Sequence, residues 1–390
     1  MPWKEVTPMD EKILFLADYL RKSYSFSQLC RDYGISRKTG YKWVGRYAEQ
    51  GADGLEERSR KPHRSGQETP YAIQQAVLKL RDQRDPPGPK KIQALLARQF
   101  DPALIPSKTT LYNILKRAGK IEPQRRVRRV AAVPRPLNSA VEPNELWSAD
   151  YKGQFKTRDG AWCYPLTVMD HASRYLLSCH GLPGTRLEET QVEFERLFRE
   201  FGLPERIRTD NGVPFVSLGV GNLSRLSIWW IRLGIRPERI SPGQPQQNGR
   251  HERMHRTLKR SLGLPPAADL LAQQVELDGF RKHYNEQRPH EGLAQCSPDS
   301  RYTSSPRLYP KRLPELAYPS YFHVNRVSQN GLVYWRALRI YIGYLLAGEC
   351  IGIEAVGDGL WDVYFGPVRL GGLDERQTQG NHDDYLTLKV

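Results

Sequence analysis

ELWSADYKGQF (145–155), the turn signal Asp159-Gly160 and WCYPLTVMD (162–170) form the stretch whose reading decides the fold. Two apolar runs joined by an Asp-Gly turn read as a β-hairpin. YLLSCHGL (175–182) follows as a third strand, and LEETQVEFERLFREFG (187–202) as a helix that stops at Gly202. ERIRTDNG (205–212) reads as a short buried strand running into a loop. LSRLSIWWIRLGI (223–235) is a helix, RPERIS (236–241) a brief strand, and QQNGRHERMHRTLKRSLG (246–263) starts a helix just after Pro245. ADLLAQQVELDGFRKHYNEQ (268–287) closes the domain as a long helix. A meander followed by alternating helix and strand predicts an α/β layer structure over 145–305.

Within that frame three carboxylates stand out by position. Asp150 lies inside the first strand, Asp210 at the end of RIRTD before Asn211-Gly212, and Glu252 in the first turns of the helix after PGQPQQNG. A carboxylate in a core strand is costly without a compensating charge. Three converging from two strands and a helix would repel one another, and a pair of divalent cations removes that repulsion. Mg²⁺ takes oxygen ligands from a few carboxylates and substrate phosphate, and two such ions stabilise both the attacking and the leaving oxygen of an in-line phosphoryl transfer. His251 and His255 are spaced i, i+4 but lack the HExxH order of a zinc site. Taken singly, each carboxylate reads as an ordinary solvated side chain.

Outward from the core, residues 1–149 hold 28 Lys+Arg against 16 Asp+Glu, a net of +12 out of +16 for all 390 residues. A basic surface implies a polyanionic partner. Residues 1–54 read as a helix-turn-helix domain. Ile13, Leu16, Ala17 and Leu20 mark one buried helix face, Gly34 a left-handed turn and Ser36 an N-cap before RKTGYKWVGRY (37–47). In that third helix Tyr41 and Val44 are the core candidates. Arg37, Lys38, Thr39, Lys42 and Arg46 form the expected DNA face, set against the plainer reading of a solvated basic helix. Residues 55–69 read as a linker broken by Pro and Gly, and 70–120 repeat the layout. There Ser107 caps KTTLYNILKRAG, and Lys108, Thr109, Thr110, Tyr112 and Asn113 are the second candidate face. Residues 121–144 are a basic linker in which Arg125, Arg126, Arg128 and Arg129 are placed to lie along phosphates or simply in solvent. After a linker at 306–320, residues 321–390 carry short aromatic runs punctuated by Gly, with a hairpin tip at Gly357-Asp358-Gly359, which predicts a small β-barrel.

The strings WSADYKG, RTDNGVPF and SPGQPQQNGRHERMHRTLK resemble the integrase-core DDE transposases of bacterial insertion sequences, relatives of retroviral integrases. YNEQRPHEGLAQCSPDSRY (284–302) is similar to the closing segment of that core. The resemblance implies an RNase H-like fold with Asp150, Asp210 and Glu252 as catalytic and metal-binding triad. It also implies two Mg²⁺ ions, with Mn²⁺ as a substitute. The 42 positions between Asp210 and Glu252 exceed the retroviral interval, and the retroviral His/Cys zinc site has no counterpart. On the Glu252 helix, Arg256 at i+4 and Lys259 at i+7 share its face and read as phosphate contacts or a solvated basic stripe. His255, at i+3, is placed to do the same or to orient a carboxylate. Trp229 and Trp230 read as core packing, Cys163 and Cys179 as buried strand residues, and Asp170 and His171 as shaping a turn.

The expected function is a DNA transposase that binds element ends, frees 3′-hydroxyls and joins them to target DNA, working as an oligomer on double-stranded DNA. Two rivals are an RNase H-like nuclease without joining and a DNA-binding regulator derived from a transposase. No apolar run reaches the ~18–20 residues of a membrane helix, and the first residues show no cleavable leader pattern. Five scattered cysteines without a CxxC pair suit a reducing compartment. A cytoplasmic, nucleoid-associated protein is expected.

Overall fold

A computed structural model describes residues 7–58, 69–121, 137, 140–217, 219–263, 265–336, 338–378, 385–386 and 388. Arg125, Arg126, Arg128 and Arg129 lie outside the described residues. The chain divides into two compact units, Met1–Glu68 and Thr69–Val390.

The first unit holds helices α1 (Pro8–Arg21), α2 (Phe26–Asp32) and α3 (Arg37–Gln50). Ser36 caps α3 by accepting from the Thr39 N–H, and Gly34 takes φ +62° in the turn before it. The buried face of α1 differs from the spacing expected above. Phe15 and Leu16 are buried, whereas Ile13 is 47% and Leu20 59% exposed. The cause is aromatic: Phe15 meets Phe26 and Tyr33 edge-on at 6.3 and 5.5 Å, so α1 rotates to bury the larger ring. In α3, Trp43 and Gly40 take the core rather than Tyr41, which is 61% exposed and stacks on Phe26 at 4.1 Å.

The second unit opens with α4 (Tyr71–Arg81), α5 (Pro89–Leu96) and α6 (Lys108–Arg117). They share a core of Ile73, Val77, Ile92, Leu96, Leu111 and Leu115, and Ser107 caps α6 through the Thr110 N–H. The α/β core follows, with strands β1 (Trp147–Tyr151), β2 (Phe155–Lys156), β3 (Trp162–Asp170), β4 (Leu176–Leu182), β5 (Arg206–Thr209) and β6 (Arg236–Arg239). β4, β3 and β1 run antiparallel, β2 continues the β1 edge along β3, and β5 and β6 add parallel to β1. This is the RNase H-like core. Its crossovers are α7 (Leu187–Phe201), before β5, and α8 (Arg225–Arg232), between β5 and β6. α9 (Gly249–Ser261) and α10 (Leu270–Lys282) complete it.

Strand alternation sorts the two faces of the sheet. Trp147, Ala149, Leu166, Val168 and Ile207 pack with Phe194, Phe198, Leu226, Trp229 and Trp230 of α7 and α8. Met169, Leu176 and Cys179 pack on the other face with Met254 and Leu258 of α9 and Leu277 and Phe280 of α10. Ser148 and Asp150, of opposite parity to Trp147 and Ala149, therefore face α9.

The C-terminal module contains β7 (His323–Arg326), β8 (Leu332–Trp335), β9 (Leu338–Tyr341), β10 (Cys350–Gly357), β11 (Leu360–Phe365), β12 (Val368–Asp374) and β13 (Tyr385–Leu386). The expected barrel is corrected here: the described strands form an open four-stranded sheet, β12-β11-β10-β7, and a separate three-stranded sheet, β13-β9-β8. Closure is unnecessary because their shared core, including Val333, Ile351, Val363 and Phe365, also takes in Leu223, Ile228 and Ile231 from around α8. Helix α8 is thus apolar on both sides, Trp229 and Trp230 toward the α/β core and Ile228 and Ile231 toward the module. No helix among the described residues is long and apolar enough to cross a membrane.

Candidate active site

Two strand ends and one helix build the site. β1 pairs in parallel with β5 in the register Trp147↔Ile207 and Ser148↔Arg208. Asp150 and Asp210 each stand two residues beyond the second pair, at corresponding places near the carboxyl ends of neighbouring strands. That is where open α/β sheets bring their functional side chains together. Glu252 is exposed in the first turn of α9, on the same side of the sheet.

Asp150 lies in the field of the other two carboxylates. The Asp150 carboxyl is pushed up to about 7, first by burial, then by the negative field of Asp210, with a further contribution from Glu252. The Asp210 loop is closed by the Gly212 N–H, which donates to Asp210 Oδ1 at 3.0 Å. A Cβ at Gly212 would stand 3.1 Å from Asp210 Oδ2, so the glycine leaves room beside the carboxylate.

A histidine pair sits behind Asp150: His255, expected to contact phosphate or orient a carboxylate, and His251, for which the sequence suggested no role. His255 Nδ1 lies 3.8 Å from Asp150 Oδ2. Its Nε2 and that of His251 each lie 2.7 Å from the Thr167 hydroxyl, and His251 Nδ1 is 2.8 Å from the Ser148 hydroxyl. Burial pushes the His255 imidazole down to about 3, with Lys152 adding to the effect, and lowers His251 strongly, so both rings are neutral. Asp150, His251 and His255 offer ligand atoms within 4.8 Å of one another. Thr167 was invisible beforehand because its importance comes from the β1–β3 register, Asp150↔Thr167, and not from any motif.

The oxygen-rich carboxylates fit a hard divalent cation: a half-buried carboxyl in the field of two others is held at an elevated pKa until positive charge arrives. Other predicted residues fall as follows. Arg256 and Lys259 are exposed on α9. Arg37, Lys38 and Lys42 are exposed on α3, while Arg46 is half-buried with its guanidinium 5.1 Å from the Trp43 ring, and Thr39 joins the cap. Lys108, Thr109, Tyr112 and Asn113 are exposed on α6, and Thr110 joins its cap. Asp170 is fully buried and organises a turn, accepting from the Asn144 N–H at 2.8 Å and the Ser173 N–H at 2.7 Å. Cys163, Cys179, Trp229 and Trp230 are buried.

Family models described as an integrase core domain match residues 140–245 and 233–298. A helix-turn-helix domain model matches 11–63, and a homeodomain-like domain model 39–115. The chain is 26% identical over 227 residues to the uncharacterized 31.7 kDa protein of insertion element IS407 from Burkholderia multivorans, covering 57% of this chain and 77% of that protein. It is 27% identical over 223 residues to the uncharacterized 39.2 kDa protein of insertion element IS476 from Xanthomonas euvesicatoria, covering 54% of this chain and 59% of that protein. The HTLV-2 integrase catalytic core domain, solved in complex with magnesium, aligns with 17% identity over 41% of this chain and 97% of that one, at a TM-score of 0.33.

Proposed function

We propose that this chain, which carries an integrase core domain preceded by helix-turn-helix domains, is a DNA transposase of the insertion-sequence kind. The observation that carries the reading is the shared field of Asp150, Asp210 and Glu252 where β1, β5 and α9 meet. In this reading the domains are 1–54 and 70–120 for DNA binding, 145–305 for catalysis and 321–390 as an accessory β module, joined by linkers at 55–69, 121–144 and 306–320.

Asp150, Asp210 and Glu252 would hold two Mg²⁺ ions, with Mn²⁺ as a substitute. When bound, the ions supply Lewis acidity to the oxygens of the scissile phosphodiester. The chain's own residues position the phosphate and shield its charge, with Arg256 and Lys259 on the Glu252 face. Water attacks phosphorus as the bond to the 3′ oxygen breaks, leaving a 3′-hydroxyl. That hydroxyl attacks a target phosphodiester, forming one P–O bond as another breaks. No covalent enzyme intermediate is required.

The helix-turn-helix faces would read the element ends through Arg37, Lys38, Thr39, Lys42 and Arg46, and through Lys108, Thr109, Thr110, Tyr112 and Asn113. Arg125, Arg126, Arg128 and Arg129, in the linker after the second unit, would lie along phosphates. Two ends must be brought together, so the working form is an oligomer on double-stranded DNA. The testing experiment is strand transfer with pre-cut end duplexes and Mg²⁺. Joining is expected, and Asp210→Asn should abolish it while end binding persists. Joining that survives the substitution overturns the mechanism; cutting without joining supports a nuclease, and binding without either supports a regulator.

A further inference from the structure

Away from the carboxylates, a cavity of about 320 Å³ opens between α5 and the α/β core, along α9. Five cations, Lys91, Arg174, Arg250, Arg253 and Arg288, line it against one carboxylate, Glu291. On α9, Arg250, Arg253 and Thr257 share a flank that helical geometry places roughly 140° around the axis from Glu252, Arg256 and Lys259. The cleft is therefore a second feature and not an extension of the candidate active site.

Its cations are held in place but only partly neutralised. Arg174 and Arg250 each donate one guanidinium arm to the same carbonyl, that of His171, at 3.0 and 2.8 Å. That shared acceptor fixes two positive groups side by side. Arg288 pairs with Asp85 and donates to Thr257, and Glu291 pairs with Lys90 at the rim. Lys91 and Arg253 have no ion pair among the described residues. His290, which also lines the cleft, has a buried Nε2 without a hydrogen-bond partner among them. Arg174 adopts φ +65°, a left-handed conformation that costs a side-chain-bearing residue on the order of 1 kcal/mol. Burial lowers the pKa of Lys91 and Arg250 and brings Arg174 down to about 10; neighbouring arginines add to all three shifts, and Glu291 opposes that of Lys91. Crowded, partly desolvated cations that outnumber their counter-charges are what an anion relieves.

We propose that this cleft is a phosphate-binding site that takes a backbone phosphodiester of the duplex engaged by α6. The inference rests on the DNA-binding reading and adds where that duplex is gripped. Continuity with α6 favours DNA over a free phosphate: α5, which carries Lys91 into the cleft, packs on α6 through Ile92, Leu96, Leu111 and Leu115. A phosphate held there bridges α5, α9 and the segment bearing Arg288. The DNA strand itself would then tie the second helical unit to the catalytic domain.

The test is the salt dependence of duplex binding by the full chain and by Lys91→Gln/Arg253→Gln, read by fluorescence anisotropy on a labelled random-sequence duplex. Both side chains are unpaired, so the thermal midpoint should hold. The slope of log K against log salt should become shallower by about 1, the release expected for one lost phosphate contact. An unchanged slope overturns the proposal and leaves the transposase reading standing. A second arm titrates inorganic tripolyphosphate against both proteins. If it binds the unaltered chain through these residues while the duplex slope is unchanged, the site serves a free phosphate and the duplex proposal fails. If the unaltered chain shows no duplex binding, the functional reading and this inference fall together.

Discussion

Thr167 and Asp150 face each other across the β1–β3 pair, and the Thr167 hydroxyl donates to the Asp150 carbonyl at 2.9 Å. The hydroxyl has one proton, so the two imidazole nitrogens at 2.7 Å from the same oxygen must donate to it. His251 and His255 are thereby assigned as Nε2–H tautomers. His255 Nδ1 is left as a lone pair facing Asp150 Oδ2 at 3.8 Å. One hydroxyl thus organises both histidines behind the first carboxylate.

Thr167→Val removes that acceptor and strands two buried N–H groups. Each unsatisfied buried group costs about 1–3 kcal/mol, so a loss of about 2–3 kcal/mol is expected. Thermal unfolding of the variant should move down by several degrees. A midpoint within a degree of the parent would show that the histidines find other partners.

Asp150 sets a pH dependence in protein stripped of divalent cations. Its folded pKa of about 7 lies above the ordinary aspartate value of 3.8, so the folded chain binds the proton more tightly. The stabilisation is fully present below pH 4 and disappears as pH rises through about 7. From this group alone, chelator-treated protein should lose on the order of 3 kcal/mol between pH 4 and pH 8. Asp150→Asn should flatten that part of the profile and raise stability at pH 8. Equal pH profiles for the two proteins would contradict the assignment.

Arg208 is 3% exposed, pairs with Glu238 and donates to the Gln247 carbonyl at 3.1 Å. It therefore ties β5, which leads to Asp210, to the turn that launches α9. Arg208→Met leaves Glu238 without this partner, at a cost of about 3 kcal/mol, and loosens the approach to Glu252. Joining activity should fall more than end binding, measured on the same pre-cut duplex. A parallel fall in both would mean that only folding was affected.

Gly40 sits where α3 crosses α1 and α2: an added Cβ would meet Cys30 Sγ at 2.8 Å and Phe26 Cζ at 2.9 Å. Gly40→Ala should overpack this junction by about 1–3 kcal/mol, despite alanine's better helix propensity. Hydrogen exchange should quicken across 8–55 and stay unchanged in β1 and β3. Slower exchange in the first unit would show that the packing yields.

Much of this molecule was legible beforehand because its signals are local. Ser36 and Ser107 announce helix starts, Gly34 and Gly202 mark turns and stops, and the hairpin tip at 357–359 lies between β10 and β11. Local spacing misled in α1, where Ile13 and Leu20 fit the helical period but Phe15 makes the aromatic contacts. The open sheets of the C-terminal module were illegible because their missing wall is supplied by α8, a distant helix.

By itself the sequence determined the order of helices and strands, the basic character of the first third, and three carboxylates in motif contexts. Those properties reside in neighbours along the chain: caps, turns, alternation and charge. Only the tertiary structure decided that Ser148, Thr167, His251 and His255 stand behind Asp150, and that five cations from four separate segments share one cleft. Strand register and helix packing set those meetings, and both are equilibria over the whole folded chain that no short window of residues encodes.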